Sequence, residues 1–391
     1  MITAPLHLAW RYVSRHRLQT LLLAGALALV MALPLCLRVL VGAAESAMRQ
    51  RASDTPQLLG SRGSALDLML TALYFKRQPL PTVTMAHLHE LRDTQLAEAI
   101  PLDARFHAQQ TPIIGTEIEY FSFRHLRLAQ GKMLTRLGDC VIGARVAAQR
   151  GLAQGGALFS SQEQVFDMAG VYPLKMRITG VLAANGSADD DAIFVDLKTT
   201  WLIEGLAHGH DDVSTRPDAV LKATPDNLIA NSSVRMFSEV TDANLGSFHF
   251  HGDDSAHQLS AIIVRPKDAK SEALLAGRYQ KSSLPVQLIR PIQEYDLLMS
   301  TLFQMEKLAY SILAVTLLAA ATVSALVFTL SFRIRRREFS TLADIGISPR
   351  DLILTKAFEA ALVGALSLLF AGLITALVQW NAAQWIRQML S

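Results

Sequence analysis

The chain has 391 residues, 51% of them hydrophobic, a formal net charge of +3 and two cysteines. So small a net charge gives no bulk field for nucleic acid, and none is expected as a partner. Cys36 and Cys140 support no disulfide framework, which sets aside the small secreted scaffolds.

Residues 1–17 are expected to form a cytoplasmic amphipathic helix. In LHLAWRYVSRHRLQT, Leu8, Tyr12 and Leu18 fall along one helical side, and Arg11, Arg15 and Arg17 are available to lipid headgroups. Leu21–Leu37 carries no charge, and the first membrane span is set at residues 18–43. Pro34 should kink it. A cleaved signal peptide is disfavoured: the block is long, lacks a small-residue cleavage site and is followed by Arg38 and AAESAMRQR.

Residues 44–307 read as an extracytoplasmic domain with helical stalks. Glu45 to about Arg77 is expected to extend the first span as one stalk helix that stops at Pro79 and Pro81. TMAHLHELRDT reads as a short helix capped by Thr84. The runs TPIIGTEIEYFSF, MRITGVL, AIFVDLKT, SAIIVRPK and PVQLIRP carry β character, and CVIGARVAAQRG reads as strand then helix. NGSADDD, from Asn185 to Asp191, is expected to be a strand-connecting loop rather than a Ca²⁺ site. Two lobes are expected. A second stalk, Gln293–Lys307, leads back to the membrane.

Leu308–Phe332 is an uncharged second span. Residues 333–356 form a basic connecting segment, residues 357–380 a third span over the block Ala360–Val378, and residues 381–391 a tail. Each block is long enough for a hydrocarbon core of about 30 Å, which takes roughly 20 apolar residues. Arg15 and Arg17 before the first span and Arg333, Arg335, Arg336 and Arg337 after the second place those ends in the cytoplasm. The middle of the chain and the carboxyl terminus are then outside, with Trp380 and Trp385 at an aromatic belt. The expected fold class is a membrane protein with α-helical transmembrane spans plus a large α+β extracytoplasmic domain.

The connecting segment FRIRRREFSTLADIGISPRDL places Phe339, Leu342 and Ile345 at i, i+3 and i+6 of a short helix. Gly346 ends that helix and Pro349 restarts the chain toward the third span. A short helix with an apolar side and a glycine stop is what a cytosolic partner could grip.

This layout resembles the FtsX/MacB-type permeases of ABC transporters. The matching residues are Arg337, Glu338, Leu342, Gly346, Arg350, Leu352 and Glu359, together with the entry sequence AWRYVSRHRLQTLLL and the stretch IIGTEIEYFSFRHLRLAQGKML. The family usually has four spans and this chain shows three, so a fourth is either missing or supplied by a partner. The resemblance implies a bacterial inner-membrane permease subunit that transmits motion from a cytosolic ABC ATPase for export or extraction. Arg337, Glu338, Phe339, Leu342, Ile345 and Gly346 would meet that ATPase. It also implies a homodimer, a periplasmic adaptor and an outer-membrane channel.

No GxxxxGK[ST] phosphate loop occurs, so ATP is expected on a partner chain and this one is not expected to be an enzyme. HExxH and GxSxG are also absent. Two histidine clusters stand out, HGHDD and HFHGDD. His208, His210, His249 and His251 could form a zinc or copper site, against a plain reading as polar loops. Two other function classes share the layout: a membrane-tethered periplasmic sensor, and an ATP-driven activator of cell-wall hydrolases.

Overall fold

The computed structural model describes residues 3–161, 173–209, 220–224, 227–230, 237–250, 252–280 and 284–390. Helix α1 (Thr3–Arg15) precedes α2 (Arg17–Ser53). Strand β1 (Gln57–Ser61), helix α3 (Ala65–Tyr74), strand β2 (Val83–Thr84) and helix α4 (Met85–Asp93) follow. Strands β3 (Ala97–Ala108) and β4 (Thr111–Thr116) form a hairpin before α5 (Glu119–Phe123). Next come β5 (Leu128–Gly131), β6 (Asp139–Ile142), α6 (Ala144–Arg150), β7 (Ala157–Phe159), β8 (Lys175–Leu182), β9 (Ile193–Asp196) and α7 (Leu197–Glu204). Strands β10 (Ala207–Gly209), β11 (Val220–Thr224), β12 (Asn227–Ala230), β13 (Phe248–Phe250) and β14 (Gln258–Leu259) make short ladders. The remaining elements are β15 (Ala261–Pro266), α8 (Ala269–Gln280), β16 (Val286–Ile289), α9 (Pro291–Ile334), α10 (Arg336–Asp344) and α11 (Pro349–Leu390). The chain divides into two compact units, Met1–Met48 with Leu298–Leu390, and Arg49–Leu297.

The unit Arg49–Leu297 is built on a mixed ten-stranded sheet, in the order β16-β1-β15-β3-β4-β9-β6-β8-β5, with β7 on β8. The pairs β4–β9 and β6–β8 are parallel and the other pairs antiparallel. Two apolar cores lie on this one sheet. One gathers Ile113, Cys140, Ile142, Met176, Ile178, Ile193 and Val195, and the other Leu59, Leu88, Leu91, Ile262, Val264 and Leu275. The two expected lobes are thus two cores on one continuous sheet.

The expected single stalk from Glu45 to Arg77 is not what forms. Helix α2 stops at Ser53, where Pro56 biases Thr55 away from helix. The next run, QLLGS, becomes β1, buried at every position between β15 and β16. A short apolar run reads alike as buried strand or buried helix, since periodicity cannot separate them. In TPIIGTEIEYFSF only the first half is strand, and the aromatics sit in α5. Thr84 does precede α4. Its backbone N–H donates to His87 Nδ1 at 3.2 Å, so this histidine closes the helix end as a capping-box residue would.

The NGSADDD segment connects β8 to β9 as a single 3₁₀ turn, and its three carboxylates are all engaged inside the fold. Asp190 accepts from the Asn185 and Gly186 backbone N–H groups at 3.0 and 2.8 Å. Asp191 pairs with Arg145 at 3.1 Å. Asp189, 1% exposed, takes a two-pronged contact from Arg51 at the end of α2, at 2.8 and 3.0 Å. Tyr120 Oη donates to the same carboxylate at 2.6 Å. Arg51 Nε also donates to the Leu73 carbonyl, and the guanidinium lies 5.6 Å from the centre of the Phe75 ring.

Burial opposes ionisation of Asp189, but the Arg51 charge, hydrogen bonds from Arg51 and Tyr120, and the Arg124 charge outweigh it. The carboxyl is held below the usual range. Burial, then the Asp189 charge, push the Tyr120 phenol up.

Among the described residues, three helices are long and apolar enough to cross a membrane, over Arg17–Ser53, Ala314–Ile334 and Pro349–Ala382. Pro34 lies inside the first. Helix α2 meets α11 through small side chains: Ala28 and Ala32 pack with Ala371. Small residues let two backbones approach where lipid gives no hydrophobic drive to associate. The buried hydroxyl of Ser367 donates to the Val363 carbonyl at 2.8 Å, one turn back, and so stays satisfied away from water.

Asp189→Asn should destabilise the sheet unit by about 3–5 kcal/mol, because it leaves the Arg51 charge buried and unpaired. Folding lowers the Asp189 pKa below its unfolded value of about 3.9, so this contribution is full above that pH and is lost as the pH falls beneath it. Thermal melting of the full chain and the variant at neutral and acid pH checks both: the gap between them should narrow in acid.

Candidate functional site

The segment between the second and third spans is a helix–turn–helix joint. Helix α9 ends at Ile334, and Phe339 N–H donates to the Arg335 carbonyl at 3.2 Å as α10 begins. Helix α10 ends at Asp344 with Ile345 as its C-cap. Gly346 follows with φ of 99°, a left-handed value that a side chain resists. Its N–H donates to the Ala343 carbonyl at 2.9 Å and that of Ile347 to the Leu342 carbonyl at 3.2 Å, which occupies the last carbonyls of the helix. Ser348 then caps α11: its Oγ accepts from the Asp351 N–H at 3.2 Å, and Pro349 opens the helix.

The root of this joint is an ion pair. Arg335 Nη1 donates to both carboxylate oxygens of Glu359 at 3.1 and 2.9 Å, and their side chains are only 13% and 6% exposed. The Arg335 guanidinium also lies 3.4 Å from the centre of the Tyr12 ring and 4.9 Å from that of Phe339. Lys356 Nζ stands 4.5 Å from the Phe339 ring centre, and Phe332 meets Phe339 edge-on at 6.2 Å. One guanidinium therefore ties together α1, the start of α10 and α11. Cation–π contacts shielded from water are worth about 2 kcal/mol each.

Of the residues expected to meet a partner whose side chains are described, only Phe339 is buried. Leu342 is half-buried, Arg337 is exposed, and Ile345 is 74% exposed at the helix end. The expected apolar side is therefore split: Phe339 anchors the helix while Ile345 faces outward, because α10 stops before its third turn. Glu338 lies in α10, and its side chain falls outside the described residues. Arg335 carries the geometry and the motif reading missed its role, since it was counted only among topology-setting arginines.

Helix α1 packs on α11. In α1 Leu8 is 38% exposed, whereas Pro5 and Ala9 are buried and Tyr12 is half-buried; Leu18, which falls in α2, is 72% exposed. The small residues turn to α11, and Leu6, Leu8 and Trp10 are left on the outside, suited to lipid.

In the other unit a cleft of about 650 Å³ is lined by Arg105, Phe106, Glu204, Ser260 and the extended stretch Pro79–Thr82. Arg105 is committed to Asp103 at 2.8 Å and Glu204 at 2.7 Å, so its charge is already neutralised. Of the histidines expected to hold metal, His208 and His249 meet edge-on with ring centres 4.6 Å apart, while His210 and His251 lie outside the described residues.

Residues 20–276 match the MacB-like periplasmic core domain, and residues 310–389 match the FtsX-like permease C-terminal domain. The comparison with curated protein sequences gives no match. Among solved structures, the periplasmic region of MacB from Actinobacillus actinomycetemcomitans aligns at 10% identity with a TM-score of 0.35, covering 65% of this chain and 94% of that one. The extracellular domain of the noncanonic ABC-type transporter YknZ from Gram-positive bacteria aligns at 12% identity with a TM-score of 0.32, covering 60% and 99%. The first domain match takes in the first apolar helix and most of the sheet unit; the second takes in the joint and both helices it connects. The chain belongs to the MacB-like periplasmic core domain family and, with its FtsX-like permease C-terminal domain, is a membrane permease component of the FtsX/MacB-type ABC transporters.

Proposed function

We propose that this chain transmits ATP-driven motion from a cytosolic ABC ATPase to its sheet domain, through the joint around Arg335. The observation that carries the reading is the division of α10 into a clamped root and an exposed end. Arg335, Phe339 and Glu359 fix the root, Ile345 stands exposed beyond it, and Arg337 is exposed on the turn between Arg335 and Phe339. A partner that grips the exposed end and moves it would pull on α9 and α11 together, because the ion pair joins them. Helix α9 has 44 residues and is about 66 Å long at 1.5 Å per residue, a continuous path for displacement along its axis. ATP stays on the partner; this chain contributes movement and no bond chemistry.

The same reading places the joint on the cytosolic side of a bacterial inner membrane and the sheet domain in the periplasm, following the arginines that flank the spans. Two copies per complex, a periplasmic adaptor and an outer-membrane channel fit an export or extraction role. A sensor with a merely topological loop would have no use for a buried pair at its root.

Glu359→Gln keeps the shape of the side chain and removes the charge. The ATPase should still co-purify with the variant, while stimulation of its activity falls by about 5- to 150-fold, the range of a coupling free energy of 1–3 kcal/mol. Arg335→Lys should fail similarly, since lysine has no planar guanidinium to lie against the Tyr12 ring while it bonds Glu359. Unchanged stimulation in both variants would remove the joint from the mechanism.

Ile345→Cys, in a chain with Cys36 and Cys140 replaced by serine, tests sidedness. A membrane-impermeant maleimide should label it in inverted vesicles and leave it unlabelled in intact spheroplasts. The reverse pattern would invert the whole topology.

A further inference from the structure

Between Leu18 and Ala44 the chain carries a single charged residue, Arg38. Arg17 and Arg38 lie about 31 Å apart along α2 at 1.5 Å per residue, close to the roughly 30 Å of one hydrocarbon core. With Arg17 at one face of the bilayer, Arg38 stands at the other. Helix α11 runs beside α2 in the same direction: Ala32 packs with Ala371, and the Cys36 thiol donates to the Thr375 hydroxyl at 4.0 Å. That register brings Gln379 level with Arg38. Two aromatic residues mark the same depth. Trp380 is exposed on α11, and the Tyr310 ring on α9 lies 5.5 Å from the Arg38 guanidinium. Such rings collect where the bilayer meets water.

At this level an open groove of about 410 Å³ is lined by Arg38, Val39, Gly42, Ala43, Gln379 and Ala382. Its volume falls within the roughly 300–1,000 Å³ of small-ligand sites. Small residues make the room: a Cβ at Gly42 would meet no atom within 4 Å. The lining residues offer one positive charge, one amide and no carboxylate. Glu45 lies about two turns farther along α2 and does not line the groove. A basic side chain at headgroup depth attracts phosphate. A zwitterionic headgroup would also bring an ammonium group, for which this lining has no counter-charge. A headgroup with one net negative charge and hydroxyls matches both the guanidinium and the amide.

We propose that this groove holds the headgroup of an anionic phospholipid of the phosphatidylglycerol class, with its phosphate on Arg38 and its hydroxyls at the Gln379 amide. The site lies at the end of the spans away from the Arg335 joint, and its occupancy does not depend on coupling through that joint.

The test uses the full chain in detergent, mixed with phosphatidylglycerol or with phosphatidylcholine of the same acyl chains, and counts retained lipid by native mass spectrometry. The parent should retain phosphatidylglycerol in preference. Arg38→Gln should weaken that retention by about fivefold and remove the preference. Gly42→Leu keeps the arginine and fills the groove, and it should remove the preference as well, which distinguishes a built site from charge on the surface. Inorganic phosphate at millimolar concentration should leave the lipid in place. Equal retention of the two lipids by the parent, or a preference that survives either substitution, overturns the proposal. Displacement by inorganic phosphate would make the groove a site for the free anion. A parent dimer that Gly42→Leu dissociates without change in lipid retention would make it a surface covered by a second copy, and either result overturns the lipid assignment.

Discussion

A guanidinium and a carboxylate, both taken out of water, tie the end of the first long helix to the turn between β8 and β9. Arg51 reaches Asp189 from the last turn of α2, and Tyr120 and the Leu73 carbonyl complete its partners. Neither charge would be tolerated there alone. The pair holds the end of α2 just before β1, which passes between β15 and β16. The clasp is built from three parts of the chain distant in sequence. It therefore closes only when the β8–β9 turn, α5 and the end of α2 have all taken their places.

The same chemistry recurs at the joint between the second and third spans. Four arginines lie close together in sequence there, and only one of them, Arg335, is drawn inward to a carboxylate. Arg333, Arg336 and Arg337 stay exposed and are free to meet headgroups or a partner. Sequence composition treats the four alike. Structure separates them into one residue that organises a joint and three that address its surroundings.

The apolar spans were legible because long uncharged runs admit few other readings. The helix α10 and its glycine stop were legible from local pattern, as were most strands, including the β6–α6 unit. What was not legible depended on distance in the chain. The QLLGS run looked like more helix, because only the sheet around it makes it a strand. Glu359 stood out as part of a family motif, but its partner lies 24 residues away and nothing local links the two. His208 and His249 were suspected as metal ligands without any reason to place them together; the register of a three-residue ladder supplied it. Ile345 was assigned to an apolar face by counting, and the helix ended before that face could extend to it.

The two long helices that run on from the apolar spans differ in one respect with mechanical meaning. Helix α9 has its only proline at its first position, where the missing N–H has no partner to lose. Helix α2 carries Pro34 in its interior, so the Val30 carbonyl lacks its usual donor one turn on. A rod with one missing rung yields there before it yields elsewhere. Under a common load α9 would act as a strut and α2 as a flexure with its compliance concentrated in a single turn.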